Sequence, residues 1–147
     1  MRKTRLKKLL RKLKKLESSK NRMNFDSAKK ITRNGVYIVY EGKKLLYIGS
    51  TSKDNHRRMG DLDGHFSNHT LHKKFLKKAL KTKESFRSKI EIYQKKRICS
   101  EKRLGEIDQK IKGRIRKFSF NFLELRGREI KKFEHFAIGI LNPDYND

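Results

Sequence analysis

The chain has 147 residues, enough for one domain, and its 34% hydrophobic content supports only a modest core. Its 41 Lys and Arg against 16 Asp and Glu leave a formal net charge of +25 spread along the whole length, so the expected partner is a polyanion, nucleic acid first, with an anionic membrane surface satisfying charge alone. A single cysteine, Cys99, excludes an intrachain disulfide and implies a reducing compartment; no apolar run is long enough to span a membrane and the N-terminal leucines are too interrupted for a signal peptide, so a cytoplasmic, nucleoid or nuclear location is expected rather than secretion.

Leu6, Leu9, Leu13 and Leu16, with Leu10 beside them, recur at helical spacing among Arg and Lys from Arg2 to Lys15, which predicts a basic amphipathic helix. Its leucines suit docking on their own domain or on a second copy, its cations suit phosphate, and a membrane surface is a further use. Ser18 to Asn24 has almost no apolar period and reads as a linker, dividing a helix-and-linker segment, 1–24, from a domain over 25–147. Gly35 to Tyr40 and Leu45 to Gly49 are β-branched and aromatic on either side of the polar turn Glu41 to Lys44, the pattern of a β-hairpin.

Leu71, Phe75, Leu76, Ala79 and Leu80 predict the core face of a helix whose other face, with Lys73, Lys74 and Lys77, is solvated or touches phosphate. Lys89 to Gln94 alternates about Ile90 and Ile92 as a strand would, and Leu104, Ile107, Ile111 and Ile115 predict another helix; together they suggest an inserted strand-helix unit within 83–117. Phe118, Phe120 and Phe122 alternate with Ser119 and Asn121, the period of a strand with one buried face. In the last helix Ile130, Phe133, Ala137, Ile140 and Leu141 share an apolar arc, and Glu134 falls inside it at about 40° from Ile130. A carboxylate there needs either a salt bridge or a cation in a cleft. The whole reads as an α+β domain with an antiparallel sheet of about three strands flanked by helices.

The tripeptides Gly35-Val36-Tyr37 and Tyr47-Ile48-Gly49, followed by Arg57, Glu134 and Asn146, resemble the GIY-YIG nuclease superfamily, with Val36 at the position of the usual isoleucine and 83–117 without a counterpart in the minimal domain. The resemblance implies a metal-dependent endonuclease that hydrolyses DNA phosphodiester bonds, in a restriction, homing, phage or repair role. It implies Tyr37 as general base, Tyr47 in support through its hydroxyl, Arg57 gripping the scissile phosphate with Arg58 as the alternative, Glu134 as the single protein ligand of Mg²⁺ or Mn²⁺, and Asn146 holding the site's shape by hydrogen bonds. Of His65, His69 and His72, His69 best fits the family spacing, for proton transfer or phosphate contact, beside its reading as an exposed helix-entry residue. Lys53 and Arg58 are expected phosphate contacts. Asp61, Asp63 and His65 suggest a separate metal site less well than they suggest turn and capping roles.

A phenol with a pKa near 10 needs adjacent positive charge to act as a base. Tyr37 and Tyr47 must also share a face of the sheet, which requires an odd loop or a bulge in the hairpin; a loop of Glu41 to Lys43 would set them directly opposite each other. Charge does not distinguish RNA from DNA, and a homodimer through the N-terminal helix or the insertion is compatible with the layout. The competing reading is a non-catalytic nucleic-acid-binding protein that retains the nuclease fold.

Overall fold

The structure is a computed structural model that describes residues 2–52, 58–64, 69–82, 91 and 100–146. Lys53, Arg57, His65 and Cys99 lie outside these residues, as does the expected strand at Lys89 to Gln94 apart from Glu91, which is helical. Helix α1 (Arg2–Glu17) leads through a 3₁₀ turn, Ser19–Asn21, to the two-residue strand β1 (Met23–Asn24) and the single turn α2 (Phe25–Ala28). The hairpin β2 (Gly35–Glu41) and β3 (Lys44–Thr51) follows, then α3 (Thr70–Ala79), α4 (Glu101–Ile115), β4 (Ser119–Glu124) and α5 (Gly127–Leu141).

The domain is α+β. Its sheet has four antiparallel strands in the order β1-β4-β2-β3, one more than the sequence suggests. The extra strand is β1, where Met23 pairs with Phe120 and Asn24 with Ser119. Two residues cannot display a period, so this strand is invisible in a polar run. For the same reason Ser18 to Asn24 is not a free linker. Arg22 donates to Asn121 at 2.9 Å, and its guanidinium lies 3.6 Å over the Tyr40 ring.

Central placement of β2 explains why Gly35 to Tyr40 are buried on both faces. Tyr37, Val39, Leu46, Phe120 and Phe122 face a core closed by α2, α3 and α4. Val36, Ile38, Tyr40 and Ile48 face a second core closed by α1 and α5 through Leu13, Leu16, Ile130, Phe133 and Ala137. Burying Leu13 and Leu16 contributes about 1.5–3 kcal/mol each, which fastens α1 to its own domain. The helix also covers the second face of β4, so Asn121 is buried, where the alternation with phenylalanine predicts one buried face. There Asn121 donates to the Leu16 and Ser18 carbonyls at 2.6 and 3.1 Å, satisfying the C-terminal end of α1.

Helix α4, the helical half of the expected insertion, contributes Leu104, Ile111 and Ile115 to the first core. Arg114 ties it to the hairpin turn by two bonds to Glu41, at 2.6 and 2.8 Å. Two apolar-arc assignments are corrected: Ala79 is exposed, and Ile140 is 58% exposed.

Candidate functional site

The hairpin turns through Gly42 and Lys43, with Glu41 paired to Lys44, so its loop is even. The register then shifts between Val39 and Tyr40: Tyr40 pairs with Leu45 but Val39 with Tyr47, leaving Leu46 as a bulge. That extra residue restores parity. Tyr37 and Val39 share a face, Tyr47 lies opposite Val39, and the two tyrosines meet on one side with ring centroids 6.4 Å apart. The expected shared face is present, reached by a bulge rather than the loop of Glu41 to Lys43, and Tyr37 pairs with Gly49 instead of Tyr47.

His69 completes a triangle with the tyrosines, its ring centroid 6.3 Å from that of Tyr37 and 5.5 Å from that of Tyr47. It enters α3 as the N-cap, but it is buried rather than exposed. Its Nδ1 accepts the Leu71 N–H at 3.1 Å, so in the neutral ring the proton sits on Nε2. Nε2 is 2.8 Å from the Tyr37 hydroxyl, and therefore donates to its oxygen. The cap thus selects the tautomer that supports a phenolate at Tyr37. Burial holds the His69 pKa well below its ordinary value, with the Arg58 and His72 charges acting the same way.

Positive charge does not dominate at Tyr37. Burial pushes its phenol well above the usual value, Tyr47 and Glu134 push in the same direction, and Arg58 opposes them. The Tyr47 hydroxyl is raised less, again by burial first, with Arg58 and a hydrogen bond to Thr70 lowering it. Arg58 is therefore the described arginine whose charge reaches Tyr37, Tyr47 and His69; its Nη2 stands 3.4 Å from the Thr70 hydroxyl.

Glu134 approaches from α5, near enough for its charge to raise both phenols. Its side chain is 12% exposed; Oε1 meets Lys131 at 3.6 Å, while Oε2 is buried and has no hydrogen-bond partner among the described residues. A buried carboxylate oxygen left in this way costs about 1–3 kcal/mol or more. Of the two options read from the helical arc, a weak salt bridge is present on one oxygen, while the other has no hydrogen-bond partner among the described residues. Among the described residues no group of three or more His, Cys, Asp and Glu side chains is arranged to hold a metal. One carboxylate with an unanswered oxygen suits Mg²⁺ or Mn²⁺, hard cations that keep water and take phosphate oxygens.

The glycines of the two tripeptides are packing glycines. A Cβ on Gly49 would strike the Tyr37 ring and hydroxyl, and one on Gly35 would strike the Leu123 carbonyl of the neighbouring strand. Gly49→Ala should therefore displace Tyr37 from His69 and lower stability by about 1–3 kcal/mol, the usual cost of overpacking. Urea denaturation measures the loss, and a midpoint equal to that of the parent refutes the packing role. Asn146 anchors the same strand: its Oδ1 accepts from the Ile48 N–H at 2.7 Å and its Nδ2 donates to the Ile48 carbonyl at 2.8 Å. With the Tyr145 N–H bonded to the Leu46 carbonyl at 2.9 Å, the chain end covers the open edge of β3.

His72 belongs elsewhere. It is buried between the Leu62 carbonyl, 2.7 Å from Nδ1, and Asp108, 2.9 Å from Nε2, and so links α3 to α4. Lys74 bonds the Tyr145 carbonyl at 2.6 Å, whereas Lys73 and Lys77 are half-buried on α3. Asp63 pairs with Arg116 at 3.6 Å and Asp61 interacts with Arg58, so these acids have cationic partners. Thr70 was not among the candidates from sequence; no spacing marks a threonine beside an N-cap as a tyrosine partner. Comparison with protein-family models, curated proteins and solved structures finds no match to this chain.

Proposed function

We propose that the chain is a metal-dependent endonuclease of the GIY-YIG type, hydrolysing DNA phosphodiester bonds at the cluster of Tyr37, Tyr47, Arg58, His69 and Glu134. The observation that carries this reading is the buried oxygen of Glu134, without a hydrogen-bond partner among the described residues, beside two tyrosines on one face of the sheet. Phosphodiester hydrolysis needs a base for the attacking water, positive charge for the phosphorane and a stabilised leaving oxygen.

Tyr37 in its ionised form, stabilised by the hydrogen bond from the Nε2–H of His69, takes a proton from the water and becomes neutral, while the resulting hydroxide attacks phosphorus and the bond to the leaving oxygen breaks. Arg58 offers the parallel donors of a guanidinium to the scissile phosphate. Tyr47, held by Thr70, orders the same surface. Glu134 would hold Mg²⁺ or Mn²⁺, which supplies positive charge to the phosphate oxygens when bound. Asn146 keeps the strand of Tyr47 and Gly49 in register.

Incubating supercoiled and linear DNA with the protein and Mg²⁺ or Mn²⁺, with chelator in a parallel arm, tests the activity. Arg58→Ala should lower cleavage at saturating DNA by about 10²- to 10³-fold, the cost of losing one oriented donor to the transition state. Unchanged cleavage by that variant moves the phosphate grip to another residue, with Arg57 first in line.

Complete burial of Tyr37, with its hydroxyl engaged by His69, favours a second reading: a nucleic-acid-binding protein in which the same cluster is structural. Salt-sensitive binding without metal-dependent cutting of any substrate selects it.

A further inference from the structure

Helix α1 docks by only one end. Leu13 and Leu16 are buried and Leu9 is half-buried, but residues 3–8 are exposed on every side of the helix. That exposed end is built against its own stability. Its first turn has no acidic residue, although the helix dipole there favours negative charge. Lys3 and Lys7, Lys8 and Lys12, and Arg11 and Lys15 set like charges one turn apart, and Glu17 is the first acid in the chain. A polyanion removes all of these penalties at once.

A second element contributes to the same surface. Between α1 and α5 runs a groove of about 290 Å³, where Arg5, Lys8 and Lys12 face Arg128 and Lys132 over a floor of Leu9 and Phe133. A single carboxylate lies among these five cations, Glu129, and Lys12 pairs with it at 3.2 Å. On α5 the groove cations Arg128 and Lys132 lie about 120° and 160° around the helix from Glu134, so they belong to a different flank from the carboxylate.

We propose that the exposed end of α1 and the adjoining flank of α5 form a second contact surface, separate from the tyrosine cluster, for the phosphate backbone of duplex DNA. A helix end that is cationic all round fits a major groove about 12 Å wide, with phosphates on both sides, whereas the narrow, deep major groove of A-form RNA does not admit it. A membrane surface is the poorer fit. It requires a continuous apolar face turned outward, and here Leu13 and Leu16 are used on the domain, leaving only Leu6 and Leu10, 50% and 41% exposed. The surface goes beyond the proposed chemistry and does not depend on it.

Binding is measured with the full chain in chelator, on duplex DNA, duplex RNA of the same sequence and phosphatidylserine vesicles. The quadruple variant Arg5→Ala, Lys8→Ala, Arg128→Ala, Lys132→Ala should bind DNA at least about tenfold more weakly and show a shallower salt slope, by about 3 to 4 in log affinity against log salt. If its thermal midpoint falls, the pair Arg128→Ala, Lys132→Ala serves instead, with the slope shallower by about 2. Helix content by circular dichroism should rise when the parent binds DNA. Unchanged DNA affinity and slope overturn the proposal, as does equal dependence on these residues for RNA, or dependence for vesicles alone. A chain that binds DNA in this way but never cuts it refutes the nuclease reading and leaves this surface in place.

Discussion

Glu134→Ala should abolish metal-dependent cleavage, with a loss of about 10³-fold or more, the rate equivalent of several kcal/mol of charge stabilisation at the phosphate. The same variant should unfold at an unchanged or higher temperature. In the parent, Oε2 is buried without a partner among the described residues and Oε1 meets Lys131 at 3.6 Å. Removing such a carboxylate relieves a desolvation penalty, the pattern of a site that gives up stability for function. DNA binding in chelator should hardly change. Cleavage and thermal denaturation of the purified variant check both halves, and parental cutting rates would move the metal site off α5.

Tyr37→Phe should lower cleavage by about 10²- to 10⁴-fold, the range for loss of a positioned general base. The ring still fills the space over Gly49, so the fold should survive, less about 1–3 kcal/mol for a His69 Nε2–H left without an acceptor. The pH profile separates this loss from a packing defect. Burial raises the Tyr37 pKa well above its ordinary value and lowers that of His69 well below its own. Between about pH 7 and 9 the histidine is therefore neutral throughout and the ionised fraction of Tyr37 grows with pH. The cleavage rate of the parent should rise across that window, and the residual rate of the phenylalanine variant should lose this dependence. A parental rate and slope in Tyr37→Phe would assign the hydroxyl to structure and favour the non-catalytic reading.

The site is partly legible in the residues because its hairpin is local. Tyr37 and Tyr47 are carried by neighbouring strands, so side-chain parity alone demands a bulge or an odd loop. The position of the bulge at Leu46 was not legible, since it depends on how β3 meets β2 and the chain end at Tyr145. Glu134 stood out because helical period places it in an apolar arc, and it is indeed mostly buried. His69 could be ranked by spacing but not given a tautomer, because its Nδ1 partner is the first turn of α3 and its Nε2 partner is on β2. His72 shows the opposite case: the same residue type three positions on, turned by the helix into a link to Asp108.

By itself the sequence determined the helices and strands with long, clean periods, the excess of positive charge and the requirement that two tyrosines of a hairpin share one face of the sheet. All of these follow from local backbone geometry and composition. Tertiary structure alone decided the rest: strand β1, the covering of both faces of β4, Arg58 reaching the tyrosines, and the glycines as spaces for a ring and a carbonyl. These depend on which distant segments lie against each other, and neither a two-residue strand nor a space left for a neighbour has a period to be read.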